Sequence, residues 1–360
     1  MVSSSTSGHY PQQPPHGFNK RKTALFIVLF LIIAIAGLSY VKWWPYYGKA
    51  FKAATEHSIG SSILGADASG PISWSAALDY AAAYFKSVWK AAVLGILLGS
   101  LVQVLLPAQW LHKVLGSSRF KSTFLGGIVS LPGMMCTCCA APIAAGLRKR
   151  NVSVGASLAF WLGNPVLNPA TLIFMTFVLS WKFTLLRLVF GIVLTFGVSY
   201  FANRLAKGQQ VPAPAEMERA EAAAELKDEG PFALRWLKSL GMMILNVVPA
   251  YLLSVLLLGA FQGVLFPVEL GGGILAILLF ALVGTLFVIP TAAEIPIIQS
   301  FTALGLGAGP AAALLLTLPA ISLPSLLMVS RSFPRKVLGF VFASVVVLGI
   351  VAGVVGAWVL

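Results

Sequence analysis

Apolar runs close to the roughly 20 residues needed to cross a bilayer recur along the whole chain. They are expected over Thr23–Val41, Val88–Leu106, Val152–Leu179, Phe183–Phe201, Leu240–Phe266, Gly305–Val329 and Val337–Leu360. Only 10% of the 360 residues are charged, 58% are hydrophobic and the mean hydropathy is +0.89, whereas a soluble domain carries roughly 25% charged residues. The chain therefore reads as an all-α polytopic membrane protein. Its net charge of +14 calls for no nucleic acid, because basic residues flanking membrane spans mark the cytoplasmic side.

Residues 1–22, rich in Ser, Pro, Gln and Gly as far as Phe18, read as a disordered cytoplasmic tail. Lys20, Arg21 and Lys22 precede a first transmembrane helix at 23–44, closed by Trp43 and Trp44. Basic flank, span and aromatic belt place the N-terminus in the cytoplasm. No small-x-small cleavage site follows the run, so a span is preferred to a cleaved signal peptide. Residues 45–79 read as a polar outer loop, 80–205 as a first transmembrane repeat, 206–232 as an acidic cytoplasmic linker and 233–360 as a second repeat. The linker holds more than half of the chain's acidic residues and has a solvated, helical composition. Lys86, Lys90, Lys182 and Arg187 fall at expected span edges and read as snorkelling anchors.

Two uncharged or nearly uncharged stretches are harder to place. Ser122–Leu147 has no charge and a Pro-Gly break near its middle; Gly271–Ser300 resembles it. If the first stretch crossed the membrane, Arg148-Lys149-Arg150 and the later cluster Arg204, Lys207, Arg235 and Lys238 would lie outside. If it enters and returns, both clusters stay inside, which violates the positive-inside rule less. About 7–9 membrane segments follow from this count.

The two halves align with each other. Pro142, Ile143, Gly155 and Pro165 match Pro296, Ile297, Gly309 and Pro319 at one constant offset, while Pro132 and Pro290 need a small shift. With an odd number of crossings in each half, the repeats would be inverted, an architecture common in secondary transporters. Pro132, Pro142, Pro165, Pro169, Pro290, Pro296, Pro319 and Pro324 are the expected helix breaks. Irregular backbone at that depth is tolerated only where it is buried in protein or lines a cavity, so the breaks point to a substrate path.

All three cysteines lie in one break, as Cys136-Thr137-Cys138-Cys139 after Met134-Met135. Thiolates bind soft ions and trivalent arsenic or antimony well; the competing reading is apolar packing. Their spacing fits neither a disulfide framework nor a zinc finger, and no cofactor or structural metal is expected. Asn164, Asn168 and Ser322 read as caps on broken helices, with polar groups free to meet substrate or backbone. Glu294 is the only charged residue from Gly271 to Ser330. A carboxylate so placed defaults to a functional reading, here ion coupling, against a structural bond to a neighbouring helix end. No nucleotide-binding loop of the GxxxxGK[ST] type occurs, and no nucleophile, His and carboxylate set falls within the spans, so an enzyme is not expected.

At these residues the chain resembles the predicted permease family that includes the bacterial organoarsenical efflux permeases. Two runs carry the likeness: LPGMMCTCCAAPIAAGLRKRNVSVGASLAFWLGNPVLNPATL and IPTAAEIPIIQSFTALGLGAGPAAALLLTLPAISLPSL. It departs from the pattern at Cys139, where members usually have Gly, and at Ser325, where many place an acid. The resemblance implies a multi-pass permease of a bacterial inner membrane. The expectation is a secondary transporter exporting a small thiophilic solute, such as a trivalent organoarsenical or soft metal(loid). Cys136, Cys138, Cys139, Asn164, Asn168 and Ser322 would bind that solute, and Glu294 would couple transport to an ion. The alternatives are a permease for an unrelated solute with structural or redox cysteines, and a passive channel. The expected partners are the substrate and the lipid bilayer, with homo-oligomerisation left open and no nucleic acid.

Overall fold

The computed structural model describes residues 20–64, 72–117, 119–206, 231–267 and 271–360. The tail expected before residue 20 and the linker expected over 207–230 lie outside them. Every regular element among the described residues is helical, and seven helices or helix pairs are long and apolar enough to cross a membrane. These are Ala24–Glu56, Trp74–Val104, Val154–Val178, Trp181–Leu205, Phe232–Ala260, Ala308–Val329 and Arg335–Val359.

The first of them corrects the expected outer loop. Helix α1 (Lys20–Leu38) continues through a π-helical turn (Ser39–Trp43) into α2 (Trp44–Glu56). Pro45 cannot donate to the carbonyl one turn back, and the wider π turn absorbs that defect so the helix runs on. Next come α3 (Trp74–Val104), begun by the Ser73 side chain capping Ala76 N, and α4 (Ala108–Leu115).

The stretch around the cysteines enters the bundle and returns. Helix α5 (Phe120–Ser130) leads to a short turn (Leu131–Gly133), and α6 (Thr137–Lys149) leads back. Both lie against α7 (Val154–Val166), which α8 (Pro169–Val178) continues. Thr123 packs on Gly155 and Ser130 on Gly163, so α5 runs parallel to α7. Trp161 Nε1 donates to the Thr137 carbonyl at 3.1 Å and Val152 N to the Leu147 carbonyl at 3.2 Å, so α6 runs antiparallel to it. The hairpin therefore begins and ends at one end of the bundle.

Helix α9 (Trp181–Ile192), a π turn (Val193–Val198) and α10 (Ser199–Leu205) recross, and α11 (Phe232–Ala260) follows. A second hairpin then forms from α12 (Ile274–Leu286) and α13 (Glu294–Ala303) around the irregular segment 287–293. It packs on α14 (Ala308–Ala320), which α15 (Leu323–Val329) continues; α16 (Arg335–Val359) closes the chain. Gly307 N donates to the Gly271 carbonyl at 3.1 Å and Gly284 packs on Thr317, so α12 parallels α14.

The two hairpins enter from opposite ends. At the base of the first, Arg148 Nε donates to the Ser332 carbonyl just after α15. At the base of the second, Gln299 Nε2 donates to the His57 carbonyl, and the His57 ring meets the Phe177 carbonyl at the far end of α8.

Two prolines expected to break helices do not. Pro142 sits inside α6, which forfeits only the bond Pro142 would have given the Cys138 carbonyl. Pro296 lies in the first turn of α13, where an N–H has no helical partner in any case. The other six lie at or beside an interruption: Pro132 in the short turn, Pro165 and Pro319 near the ends of α7 and α14, Pro169 and Pro324 at the starts of α8 and α15, and Pro290 in the irregular segment.

Candidate functional site

The tips of both hairpins meet inside the bundle around a small cavity of about 10 Å³, which is water-sized. Cys136 and Thr137 line it from the first hairpin; Ile289, Pro290, Thr291, Ala292 and Glu294 line it from the second. Pro165, Leu318 and Pro319, where α7 and α14 end, complete the wall.

The three cysteines are free and buried. Cys136 precedes α6 with an extended backbone, so the chain turns there and places Cys136 and Cys139 on one side of the first helical turn. Their sulfurs lie 2.9 Å apart. Cys138 points elsewhere: its Sγ lies 3.3 Å from Ser322 Oγ, and Thr137 Oγ1 lies 3.2 Å from the same hydroxyl. Ser322 belongs to the second half and caps α15 with Ser325, whose Oγ receives the Ser322 N–H at 3.0 Å. Helix α6 comes this close to α3 because Gly95 and Gly99 have no side chains; a Cβ on Gly95 would overlap the Cys139 carbonyl.

Asn164 and Asn168 take structural partners. Asn164 Oδ1 accepts from Met135 N at 3.4 Å, holding the first tip against α7, and its Nδ2 donates to the Phe160 carbonyl. Asn168 Oδ1 accepts from the N–H groups of Ala170 and Thr171 at 3.1 and 3.3 Å, a helix N-cap. Neither residue lines the cavity, whereas Cys136 and Glu294 do.

Glu294 has a partner absent from the sequence reading. Arg187, expected to snorkel at a span edge, is fully buried, with Nη1 2.5 Å from Glu294 Oε1. It also donates through Nε to the Val166 carbonyl at 3.0 Å and through Nη2 to the Pro165 carbonyl at 2.7 Å. A cation thus sits at the C-terminal end of α7 and a carboxylate at the N-terminal end of α13, each favourable for the local helix dipole. Glu294 Oε2 is buried and has no hydrogen-bond partner among the described residues.

A second buried cation was also missed. Lys42 is 5% exposed, and its Nζ donates to Thr291 Oγ1 and to Tyr46 OH, both at 3.0 Å. The available signals were weak. Arg187 heads a four-residue rhythm of polar or small residues, Gly191, Thr195, Ser199 and Asn203, in an apolar span. Lys42 stands one residue past the expected end of its span, where an anchor is unremarkable.

The ArsP_1 family model, that of a predicted permease, matches residues 73–357. UPF0718 protein YraQ of Escherichia coli (strain K12) is 52% identical over 329 residues, covering 90% of this chain and 93% of that protein. UPF0718 protein MJ0584 of Methanocaldococcus jannaschii is 20% identical over 335 residues, 74% of this chain and 91% of that protein. No solved structure matches the chain.

Proposed function

The chain belongs to this family of predicted permeases, and from that premise we propose that it is a secondary transporter exporting a small thiophilic solute. A trivalent organoarsenical or soft metal(loid) is the solute class. The observation that carries the reading is the cavity at the joint tips, which brings the Cys136 thiol and the Glu294 carboxylate to one wall-lined space. Soft centres bind thiols, and Cys139 lies close enough to Cys136 to share such a centre. Cys138 and Ser322 stand beside it, and Asn164 and Asn168 shape the path by holding the first tip and α8 in place.

Entry of the hairpins from opposite ends supports reading the halves as an inverted pair, with the tips as the part that both sides of the membrane reach in turn. Basic residues Arg148, Lys149, Arg204, Arg235, Arg331 and Arg335 all lie in or just beyond terminal turns of helices at the end where the N-terminal helix begins. By the positive-inside rule that end is cytoplasmic, in a bacterial inner membrane.

The test is uptake of trivalent methylarsenic into everted membrane vesicles under an imposed proton gradient. Accumulation above the equilibrium level, abolished by a protonophore, is the expected result. Flux that only equilibrates would make the protein a channel. The approach of Cys136 to Cys139 favours one second reading, a redox pair; it predicts uphill transport that survives removal of the thiols.

A further inference from the structure

The family match begins at residue 73, yet the helix before it reaches both hairpin tips. Across most of its length this helix faces outward: Leu25, Val28, Ile32 and Ile35 are exposed, as in a lipid-facing span. At the π turn it sends two adjacent polar groups inward. Trp43 Nε1 donates to the Pro132 carbonyl at 2.8 Å, in the turn of the first hairpin. Lys42 Nζ donates to Thr291 Oγ1 at 3.0 Å, at the tip of the second. A regular α-helix turns its neighbouring side chains about 100° apart, and π turns recur at functional sites.

A buried lysine within a membrane span is expensive and defaults to a working role. Lys42 bonds Thr291, which lines the cavity wall together with Cys136. At its far end the same helix is fixed at His57, whose ring meets the Phe177 carbonyl at 2.7 Å and whose carbonyl accepts from Gln299.

We infer that Lys42 and Trp43 are positioning residues that latch the two hairpin tips together across the cavity, and that release of this latch admits the solute. A space of about 10 Å³ holds a water and nothing larger, so the tips must part before any solute binds. Among the described residues, no other element bonds to both tips from adjacent residues. This inference rests on reading the cavity as the solute site, but its test needs no solute.

The chain has three cysteines, so Cys138→Ser/Cys139→Ser leaves Cys136 as its sole thiol. In that full-length background, in native membranes, the rate of Cys136 labelling by N-ethylmaleimide reports how often the tips part. Lys42→Met and Trp43→Phe each delete one latch bond, and together they are expected to raise the labelling rate about tenfold or more. Lys42→Arg, which keeps the charge and the donor, should stay close to the background rate. Val337→Ala, a buried truncation in the first turn of α16, at the base end of the first hairpin, controls for general loosening. Labelling of the double variant within about twofold of background, or equal acceleration by Val337→Ala, would overturn the latch. Absence of methylarsenic transport by the unsubstituted protein, with labelling as expected, would instead remove the solute assignment and leave the latch standing.

Discussion

Arg187 Nη1 and Glu294 Oε1 lie 2.5 Å apart, both side chains fully buried, and they come from opposite halves of the chain. The pair joins the end of one interrupted helix to the start of another. Removing one member of such a pair leaves an uncompensated buried charge.

Arg187→Met should accordingly destabilise the protein by about 3–5 kcal/mol. It also deprives the Pro165 and Val166 carbonyls of their donor. Arg187→Lys should recover only part of the loss, because an ammonium cannot serve three acceptors in the fixed fork of a guanidinium. Thermal melting of purified protein in detergent measures both.

Glu294→Gln keeps an acceptor for Arg187 but cannot exchange a proton. If Glu294 couples transport, the variant should lose proton-driven export above the equilibrium level, at matched expression; full, pH-independent export would remove the coupling role. Full pH dependence in the variant would place the coupling elsewhere.

Asn168 caps α8 with two backbone bonds. Asn168→Ala should cost about 1 kcal/mol, and Asn168→Ser should cost less, because a hydroxyl caps as well and brings no buried charge. A large loss of transport in Asn168→Ser at unchanged stability would show that the side chain meets the solute rather than the backbone alone.

Gly95 lets α6 rest on α3 at the level of the cysteines. Gly95→Ala would drive a methyl into the Cys139 carbonyl, a backbone atom that cannot swing aside, at a cost of about 1–3 kcal/mol. The expected result is a lower melting temperature together with altered reactivity of Cys136.

Much of this arrangement was legible in the sequence. Long apolar runs announced the spans, and the charge-free stretches ending in Arg148-Lys149-Arg150 and near Ser300 announced the entering hairpins. The Pro and Gly interruptions marked where helices stop, except at Pro142 and Pro296. Pro296 fails because it lies in the first turn, where its missing N–H has no helical partner; Pro142 lies inside α6, which runs on at the loss of one helical bond. Glu294 stood out because no other charge surrounds it in sequence. Its partner did not, because Arg187 is 107 positions away and a cation near a span edge usually snorkels. Lys42 was hidden in the same way, and α2 was hidden by Pro45, which in isolation argues against a continuing helix.

The most direct test of the site is accumulation of trivalent methylarsenic in arsenic-sensitive bacterial cells. Cells would carry an empty vector, the intact protein, or Cys136→Ser/Cys138→Ser/Cys139→Ser at equal expression. Lower accumulation with the intact protein, lost in the cysteine-free variant, is the predicted result. Equal lowering by both would contradict a thiol-based site, and no lowering by either would contradict the solute itself.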